Sequence, residues 1–450
     1  MITRRSFLST TGLAFIGLQR YVSAEPTSRI IEPFGPLLSD PQGMVDLPDG
    51  FSYRILSKRG AIMADGFKTP GKPDGMAAFV AEDGKLVLVC NHELALKSSA
   101  QGPFPDNSHL PADFDREKVY DGGSGGKEPH VGGTTNIVFD PGSGKAVSQF
   151  LTLVGTDRNC AGGAMPWGSW ISCEEPEDLT SERGKEHGWC FEVKALSSGG
   201  LQKPVPLKAL GRFRHEAVAL DPRTGWLYLT EDRQDGLLYR FLPEKKGDLS
   251  RGKLQALKIV GKPSADLRNY DPNSKWPRAM ENLDAEWIDL NDVDSPNDDL
   301  RIRGHLAGAA RFARGEGIHW VGDAFYICCT DGGPSRRGQI FKLSPAASGG
   351  SDRLELFLQP EKSDLLTNGD NLCPAPWGGI VICEDLIDPK FSPAAHVRCV
   401  TPKGEIFTLA KNRHDGEFAG GCFSPDGKWF FVNIMNEGLT LAITGPWDKA

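Results

Sequence analysis

The sequence has no surplus of positive charge. Lys and Arg total 51 against 59 Asp and Glu, a formal net charge of −8, which argues against a protein that grips nucleic-acid phosphates through concentrated basic charge. Long apolar runs are missing after the first two dozen residues, so no later segment reads as a membrane-spanning helix. Helical periodicity is scarce beyond residue 40, which leaves strands and turns to build the fold. The common enzyme signatures are missing as well: there is no His-Glu-x-x-His zinc helix, no Gly-x-Ser-x-Gly elbow, no phosphate-cradling P-loop and no dinucleotide fingerprint. Ten cysteines lack the regular spacing of a disulfide framework. Cys90, Cys173, Cys328, Cys329 and Cys383 sit inside apolar runs and read as buried thiols.

What is present describes a globular chain. Of 450 residues, 39% are hydrophobic and 24% charged, which rules out disorder for most of the length. The N-terminus reads Met1-Ile2-Thr3-Arg4-Arg5-Ser6-Phe7-Leu8, then an apolar, small-residue stretch to about Leu18 and Val22-Ser23-Ala24. This is the pattern of an export signal of twin-arginine type over residues 1–24, and the apolar stretch is shorter than the roughly 20 residues that span a bilayer. Cleavage after Ala24 would leave residues 25–450 as one domain without a membrane anchor, periplasmic or secreted. It removes three arginines and no acid, taking the net charge to −11. The twin-arginine translocation machinery is the partner expected during export, and a monomer the expected state afterwards.

Short strand-like runs such as Lys85-Leu86-Val87-Leu88-Val89 and Lys428-Trp429-Phe430-Phe431-Val432 alternate with turn signals such as Asp83-Gly84 and Pro425-Asp426-Gly427. One spacing returns along the chain: fifteen residues separate Cys160 from Glu175, Glu216 from Glu231, Glu316 from Asp331 and Asp370 from Asp385, with an apolar hairpin in each gap. Two copies agree in detail, Pro166-Trp167-Gly168 to Cys173-Glu174-Glu175 and Pro376-Trp377-Gly378 to Cys383-Glu384-Asp385. Looser copies run from Asp74 to Glu93 and from Glu417 to Asn433. A hairpin of this length returns its end beside its beginning, so each unit brings two ligand-type residues to one rim. Radial repetition around a channel then pools them. The expected fold is an all-β propeller of six blades, each a four-stranded antiparallel sheet, with insertions near residues 98–131 and 262–304.

A lone Glu beside a turn is ordinarily a solvated surface carboxylate. Here Glu93, Glu174, Glu175, Glu216, Glu231, Asp232, Glu316, Asp331, Asp370, Glu384 and Asp385 all end apolar runs at the expected mouth. So many carboxylates share a mouth only if cations neutralise them. Oxygen donors, with Asn91, Asn159 and Asn371 adding neutral ones, suit Ca²⁺. Cys160 reads either as a buried thiol or as a softer ligand that argues for a transition metal. His92 and His215, each just before a Glu, either ligate or orient. Arg314, two residues before Glu316, suits a substrate phosphate or a salt bridge.

At these residues the chain resembles the PhoX-type alkaline phosphatases, exported enzymes that hydrolyse phosphomonoesters. The resemblance rests on several motifs in the family's order: Asn91-His92-Glu93, Asn159-Cys160-Ala161-Gly162-Gly163, Cys173-Glu174-Glu175, Arg212-Phe213-Arg214-His215-Glu216, Glu231-Asp232-Arg233, Arg314-Gly315-Glu316-Gly317, Asp370-Asn371-Leu372 and Thr444-Gly445-Pro446-Trp447. It departs from the family at Asn433-Ile434-Met435-Asn436-Glu437-Gly438, where a His-Pro pair is expected before the Gly. The resemblance implies a six-bladed propeller holding calcium ions and a pair of ferric ions. It also implies Cys160, Glu216 and Glu316 as iron ligands, Arg314 as a phosphate contact and the remaining acids as largely calcium ligands, with Arg314, Glu316 and Glu216 catalytic. The alternatives are a calcium-dependent lactonase or phosphodiesterase, and a non-catalytic binding propeller. The lactonase has no need of Cys160 or Arg314, so metal content separates it from the phosphatase.

Overall fold

The computed structural model describes residues 29–449 apart from 82, 124–127, 181–183, 275, 347–349, 362–364, 386 and 388–391. The expected export signal lies outside the described residues. Among them no helix is long and apolar enough to cross a membrane.

The chain folds as antiparallel meanders arranged like a propeller, in five hydrogen-bonded sheets. Pro73–Val80, Leu86–His92, Gly132–Asp140 and Lys145–Thr156 form one sheet. Asn159–Met165, Ser169–Glu174 and Cys190–Lys194 form the next. Two four-stranded meanders, beginning with His215–Leu220 and Gly315–Val321, are fused into nine strands by Asn282–Asp289, which pairs with Asp248–Ile259 and Asp352–Leu358. Gly369–Pro374 opens the following sheet. Phe418–Phe423 opens the last, whose outer strand is Ser52–Lys58 from the other end of the chain. This pairing joins the two ends of the chain through main-chain bonds. The opening strands stand side by side around an axis: Pro73–Val80, Asn159–Met165, His215–Leu220, Gly315–Val321, Gly369–Pro374 and Phe418–Phe423, the last again beside the first. Apolar clusters such as Tyr228, Phe325, Ile327 and Phe341 fill the wedges between sheets.

Two expectations need correction. The sheet opened by Gly369–Pro374 has six strands, not four, because Leu37–Leu38 and Val45–Pro48 extend its outer edge, and the one opened by Asn159–Met165 has three. Pro204 and Pro206 fall where a fourth would run, and proline lacks the ladder's N–H donor, so that segment touches the sheet through one bridge, Phe191 to Pro206. The insertion near 262–304 is also more than a loop, since it supplies the bridging strand and the helix Leu300–Leu306.

One irregularity positions everything that follows. Each opening strand shifts register within its first residues, at Asp74-Gly75, Cys160-Ala161, Glu216-Ala217, Glu316-Gly317, Asp370-Asn371 and Gly420-Gly421. A bulge rotates one side chain out of the alternation and bends the strand. The second bulged residue is small in most copies because neighbouring opening strands press together there. A Cβ on Gly75 would lie 2.5 Å from the Cα of Ala161 and 2.8 Å from the carbonyl of Cys160, and one on Gly317 would lie 2.6 Å from the carbonyl of Asp370. Gly75→Ala is therefore expected to destabilise by about 2 kcal/mol. Gly200→Ala, with no atom within 4 Å, is the control and should change nothing. Urea denaturation of both variants measures the difference, and equal midpoints would refute the close-approach argument.

Candidate metal centre and active-site mouth

The five bulges with a polar first residue direct Asp74, Cys160, Glu216, Glu316 and Asp370 into one cleft. The returning strands of the same hairpins add Glu93, Glu175, Asp232 and Asp385, while Glu417 enters from the last hairpin. In the sixth bulge Gly420 stands where the others carry a ligand-type residue, and Met435, fifteen residues on, lines the cleft in place of an acid. The cavity measures about 280 Å³. Nine carboxylates and a thiol face four cations, Lys72, Lys97, Arg158 and Arg314.

Strand alternation decides which member of each acidic pair arrives. Glu175, Asp232 and Asp385 face the mouth, whereas Glu174, Glu231 and Glu384 turn back into the sheet and tie down loops. Glu174 accepts from the backbone N–H of Asp157 (2.9 Å), Gly188 (2.8 Å) and Trp189 (3.1 Å), with His187 Nδ1 at 2.6 Å. Glu231 accepts from the Leu237 N–H (3.1 Å) and the Tyr239 hydroxyl (2.7 Å); burial pushes its carboxyl up to about 7 against the pull of Arg301. Glu384 accepts from the Thr367 N–H (2.9 Å) and the Arg398 guanidinium (3.0 Å).

Several other expected donors also stand apart from the cleft. Asp331 pairs with Arg336 (2.7 Å), because in this hairpin Thr330, not Asp331, bonds its N–H to the Arg314 carbonyl and takes the position that Glu175 holds elsewhere. Asn91 is consumed by the carbonyls of Cys160 and Ala161 and by Trp170 and Ser172. Asn159 bonds Thr156 and Ser172. Asn371 accepts from the Gly420 N–H and donates to Asp370 (3.1 Å), so it positions a mouth residue from behind. His92 faces the Gly71 carbonyl and Thr135, and His215 bonds the Gly211 carbonyl; burial pulls both imidazoles down to about 4.

Residues that the fifteen-residue spacing does not single out complete the mouth. Asp74 belongs to a hairpin longer than the others, and Glu417 lies three residues before its bulge. A second signal is legible in hindsight: a basic residue stands two before each of four bulge residues, Lys72, Arg158, Arg214 and Arg314. Three of them adopt left-handed backbone, with φ of 44° at Lys72, 51° at Arg158 and 52° at Arg314. Their carbonyls accept from Glu93, Glu175 and Thr330 respectively, so the same turn that aims the acid inward places a base at the rim. Arg158 pairs with Glu93 and Glu175, and Arg214 with Glu175 and Asp232. Arg314 holds Asp232 through Nε (2.7 Å) and Nη2 (3.1 Å) and reaches Glu316 at 2.8 Å.

The electrostatics divide this cluster in two. Burial, then mutual repulsion, pushes the carboxyls of Asp74, Glu216, Glu316, Asp370 and Glu417 well above their ordinary range, and the Cys160 thiol likewise. Burial also pushes Asp232 upward, but Arg314 and Arg214 outweigh it and hold that carboxyl below its ordinary value. The donor atoms fall into three adjoining groups, each within 4.8 Å: Glu93, Cys160 and Glu175; Glu216, Glu316 and Asp370; and Asp370, Asp385 and Glu417. Oδ1 of Asp74, buried at the same place, has no hydrogen-bond partner. Deep carboxylates crowded beyond what the local arginines neutralise fit bound cations. The groups adjoin and share one cluster, whose carboxylate oxygens suit hard cations, while Cys160 adds a softer donor that favours a transition metal over Ca²⁺.

A family model described as alkaline phosphatase PhoX matches residues 32–438. Among solved structures, Pseudomonas fluorescens PhoX in complex with vanadate, a transition state analogue, is similar at 18% identity and a TM-score of 0.67, covering 94% of this chain and 98% of that one. A Xanthomonas campestris gluconolactonase is similar at 11% identity over 92% of this chain and 98% of that one, with a TM-score of 0.42. The search of curated proteins returns no match.

Two measurements test the assignment of cations to this cleft. Raised carboxyls mean that the folded, metal-free chain holds protons that the unfolded chain has released, from the ordinary values of 3.8 for Asp and 4.5 for Glu upward. Their contribution to stability is present at low pH and lost as pH rises through the folded values. Cations must displace those protons, so stabilisation by saturating Ca²⁺ should grow with pH from about 4 upward. Urea midpoints with and without Ca²⁺ across that range measure it; a constant or shrinking increment would refute the reading. In the second test, Glu175→Gln should lower bound metal without unfolding. Glu174→Gln should leave the metal content of the folded protein intact but cost about 3 kcal/mol, as breaking a buried charged network does.

Proposed function

The chain belongs to the PhoX alkaline phosphatase family, and from that premise we propose that it is an exported phosphomonoesterase whose mouth binds calcium and iron. The observation that carries the reading is the convergence of Cys160, Glu216, Glu316 and Arg314 on one buried, acid-rich cleft. A calcium-only lactonase would have no use for Cys160 or Arg314. On this reading Cys160, Glu216 and Glu316 hold ferric iron, probed by the one thiol among the donors, and Glu93, Glu175, Asp370 and Asp385 hold calcium together with Asp74 and Glu417. The fold is read as a six-bladed propeller over residues 25–450, supported by the closed succession of opening strands and by counting the nine-stranded sheet as two blades. Export to the periplasm is supported by Arg4-Arg5-Ser6-Phe7-Leu8 and the apolar run that follows.

Bound in this cleft, the cations would supply the Lewis acidity and concentrated positive charge that phosphomonoester cleavage, among the slowest uncatalysed reactions, requires. The protein's own groups do the positioning. Asp232 fixes the Arg314 guanidinium by accepting from two of its nitrogens, so the side chain need not be ordered when substrate arrives. Nη1 of Arg314, with only Asp385 at 3.8 Å, is the edge left for a phosphoryl oxygen. Lys72, Lys97 and Arg158 line the same cleft and attract the anionic ester past the acids.

Metal-replete protein should release phosphate from p-nitrophenyl phosphate and contain iron together with calcium. Arg314→Met should lower kcat/KM about 10²-fold, the scale of removing one charge-stabilising donor, and leave metal content unchanged. Glu316→Gln should lower both. Absence of phosphate release from p-nitrophenyl phosphate and nucleotides by metal-replete protein would refute the proposal, and calcium without iron would refute the metal assignment.

A further inference from the structure

Among the described residues, two buried groups outside the mouth combine several ligand-type side chains. In the first, Asp121, His130 and His187, protons suffice: His187 lies between Glu174 (2.6 Å) and Asp121 (3.5 Å), and these acids overcome burial to hold its imidazole at about 9. That group reads as an internal ion-pair network. The second, Cys173, Cys190 and His215, contains no acid, and Glu231 and Glu174 act on His215 without overcoming its burial.

Cys173 and Cys190 are direct partners on the adjacent strands Ser169–Glu174 and Cys190–Lys194, so their side chains project together. Their sulfurs lie 3.6 Å apart, and both residues are fully buried. Two thiolates on one tetrahedral zinc, at the usual metal–sulfur length, stand about 3.8 Å apart. His215 reaches the same point from the next sheet. Its Nε2–H donates to the Gly211 carbonyl at 2.9 Å, which fixes the tautomer and leaves the lone pair on Nδ1. Nδ1 is buried with no partner, and it lies within 4.8 Å of both sulfurs. The ring cannot easily turn away, because it packs at 3.6 Å on Phe213, which stacks on Tyr239 at 4.3 Å. Around the three donors the core is apolar, with Met165, Ile171, Val218, Leu227 and Leu237 in the same cluster.

We propose that Cys173, Cys190 and His215 form a buried structural site for one thiophilic d¹⁰ cation, Zn²⁺ or Cu⁺. Binding exchanges the two thiol protons for two metal–sulfur bonds and uses the unpartnered Nδ1 for a third. The three donors suit a trigonal Cu⁺ as they stand; Zn²⁺, whose unit would be neutral and so more readily accepted by an apolar core, would need a fourth ligand such as a water. The ion would tie the sheet containing Cys173 to the strand that begins at His215, one residue before Glu216 of the mouth. The inference stands apart from the phosphatase reading, since it concerns different donors, a different class of metal and a stability readout.

Elemental analysis of protein prepared with Zn²⁺ and, separately, Cu⁺ tests it and distinguishes the two ions. With saturating Ca²⁺ present to fill the mouth, about one equivalent of either per chain is expected in Cys160→Ser, which removes the mouth thiol, and about one equivalent less when Cys190→Ala is added to it. A thiophilic chelator should lower the melting temperature of the unsubstituted protein but not of Cys190→Ala. Should Cys190→Ala fail to fold, X-ray absorption on the unsubstituted protein decides: a shell with two sulfurs and a nitrogen is expected. A shell of oxygen and nitrogen alone, no retained Zn²⁺ or Cu⁺, or a Cys173–Cys190 disulfide in the alkylated native protein would overturn the proposal.

Discussion

Repulsion among buried carboxylates at one end of the axis is the constraint on which this structure turns. At an effective dielectric near 20, two like charges 4 Å apart repel by about 4 kcal/mol, several times the roughly 1 kcal/mol that a hydrogen bond contributes net. Nine carboxylates and one thiol line the mouth. No arrangement of hydrogen bonds offsets that cost, and the arginines at the rim hold Asp232 below its ordinary value but leave Glu316 raised despite its contact with Arg314. The deep set must therefore hold protons or cations. Which it holds depends on pH and on metal supply, so folding, metal loading and catalysis are linked through the same side chains.

Backbone geometry creates that crowding. The bulge near the start of each opening strand breaks the two-residue alternation and turns one extra side chain toward the axis. Close approach of neighbouring strands then demands a small residue next, as at Gly75 and Gly317. Left-handed backbone two residues earlier, at Lys72, Arg158 and Arg314, carries a base to the rim, where Arg158 and Arg314 pair with the acids. Acid within and base at the rim are thus two products of one recurring turn.

This explains what the sequence made legible. The hairpin spacing of fifteen finds Cys160, Glu216, Glu316 and Asp370, because these four hairpins are of nearly equal length and return at Glu175, Asp232, Thr330 and Asp385. It passes over Asp74, whose hairpin is longer, and Glu417, which is not in the bulge at all. It points to Asp331 where the register places Thr330, since spacing counts residues while the pleat decides direction. Three acidic pairs announced themselves as pairs, but only the second members, Glu175, Asp232 and Asp385, reach the mouth. The three-stranded sheet was also foreshadowed, by prolines whose effect on a ladder depends on where the strand would have run.

The first members of those pairs have their own logic. Glu174, Glu231 and Glu384 stand at equivalent places in three sheets; Glu174 and Glu231 accept bonds from the loop that follows their strand, and Glu384 from His396 at the start of the next strand. A carboxylate that fastens a loop to a strand end also fixes the strand end itself, and the adjacent residue is the one that enters the mouth. Substituting the inner acid alone would remove a ligand from an intact frame, whereas substituting the outer one would loosen the frame around an intact ligand. An acidic pair at this position is therefore two separable devices joined by one peptide bond, and the alternation of the strand keeps their functions apart.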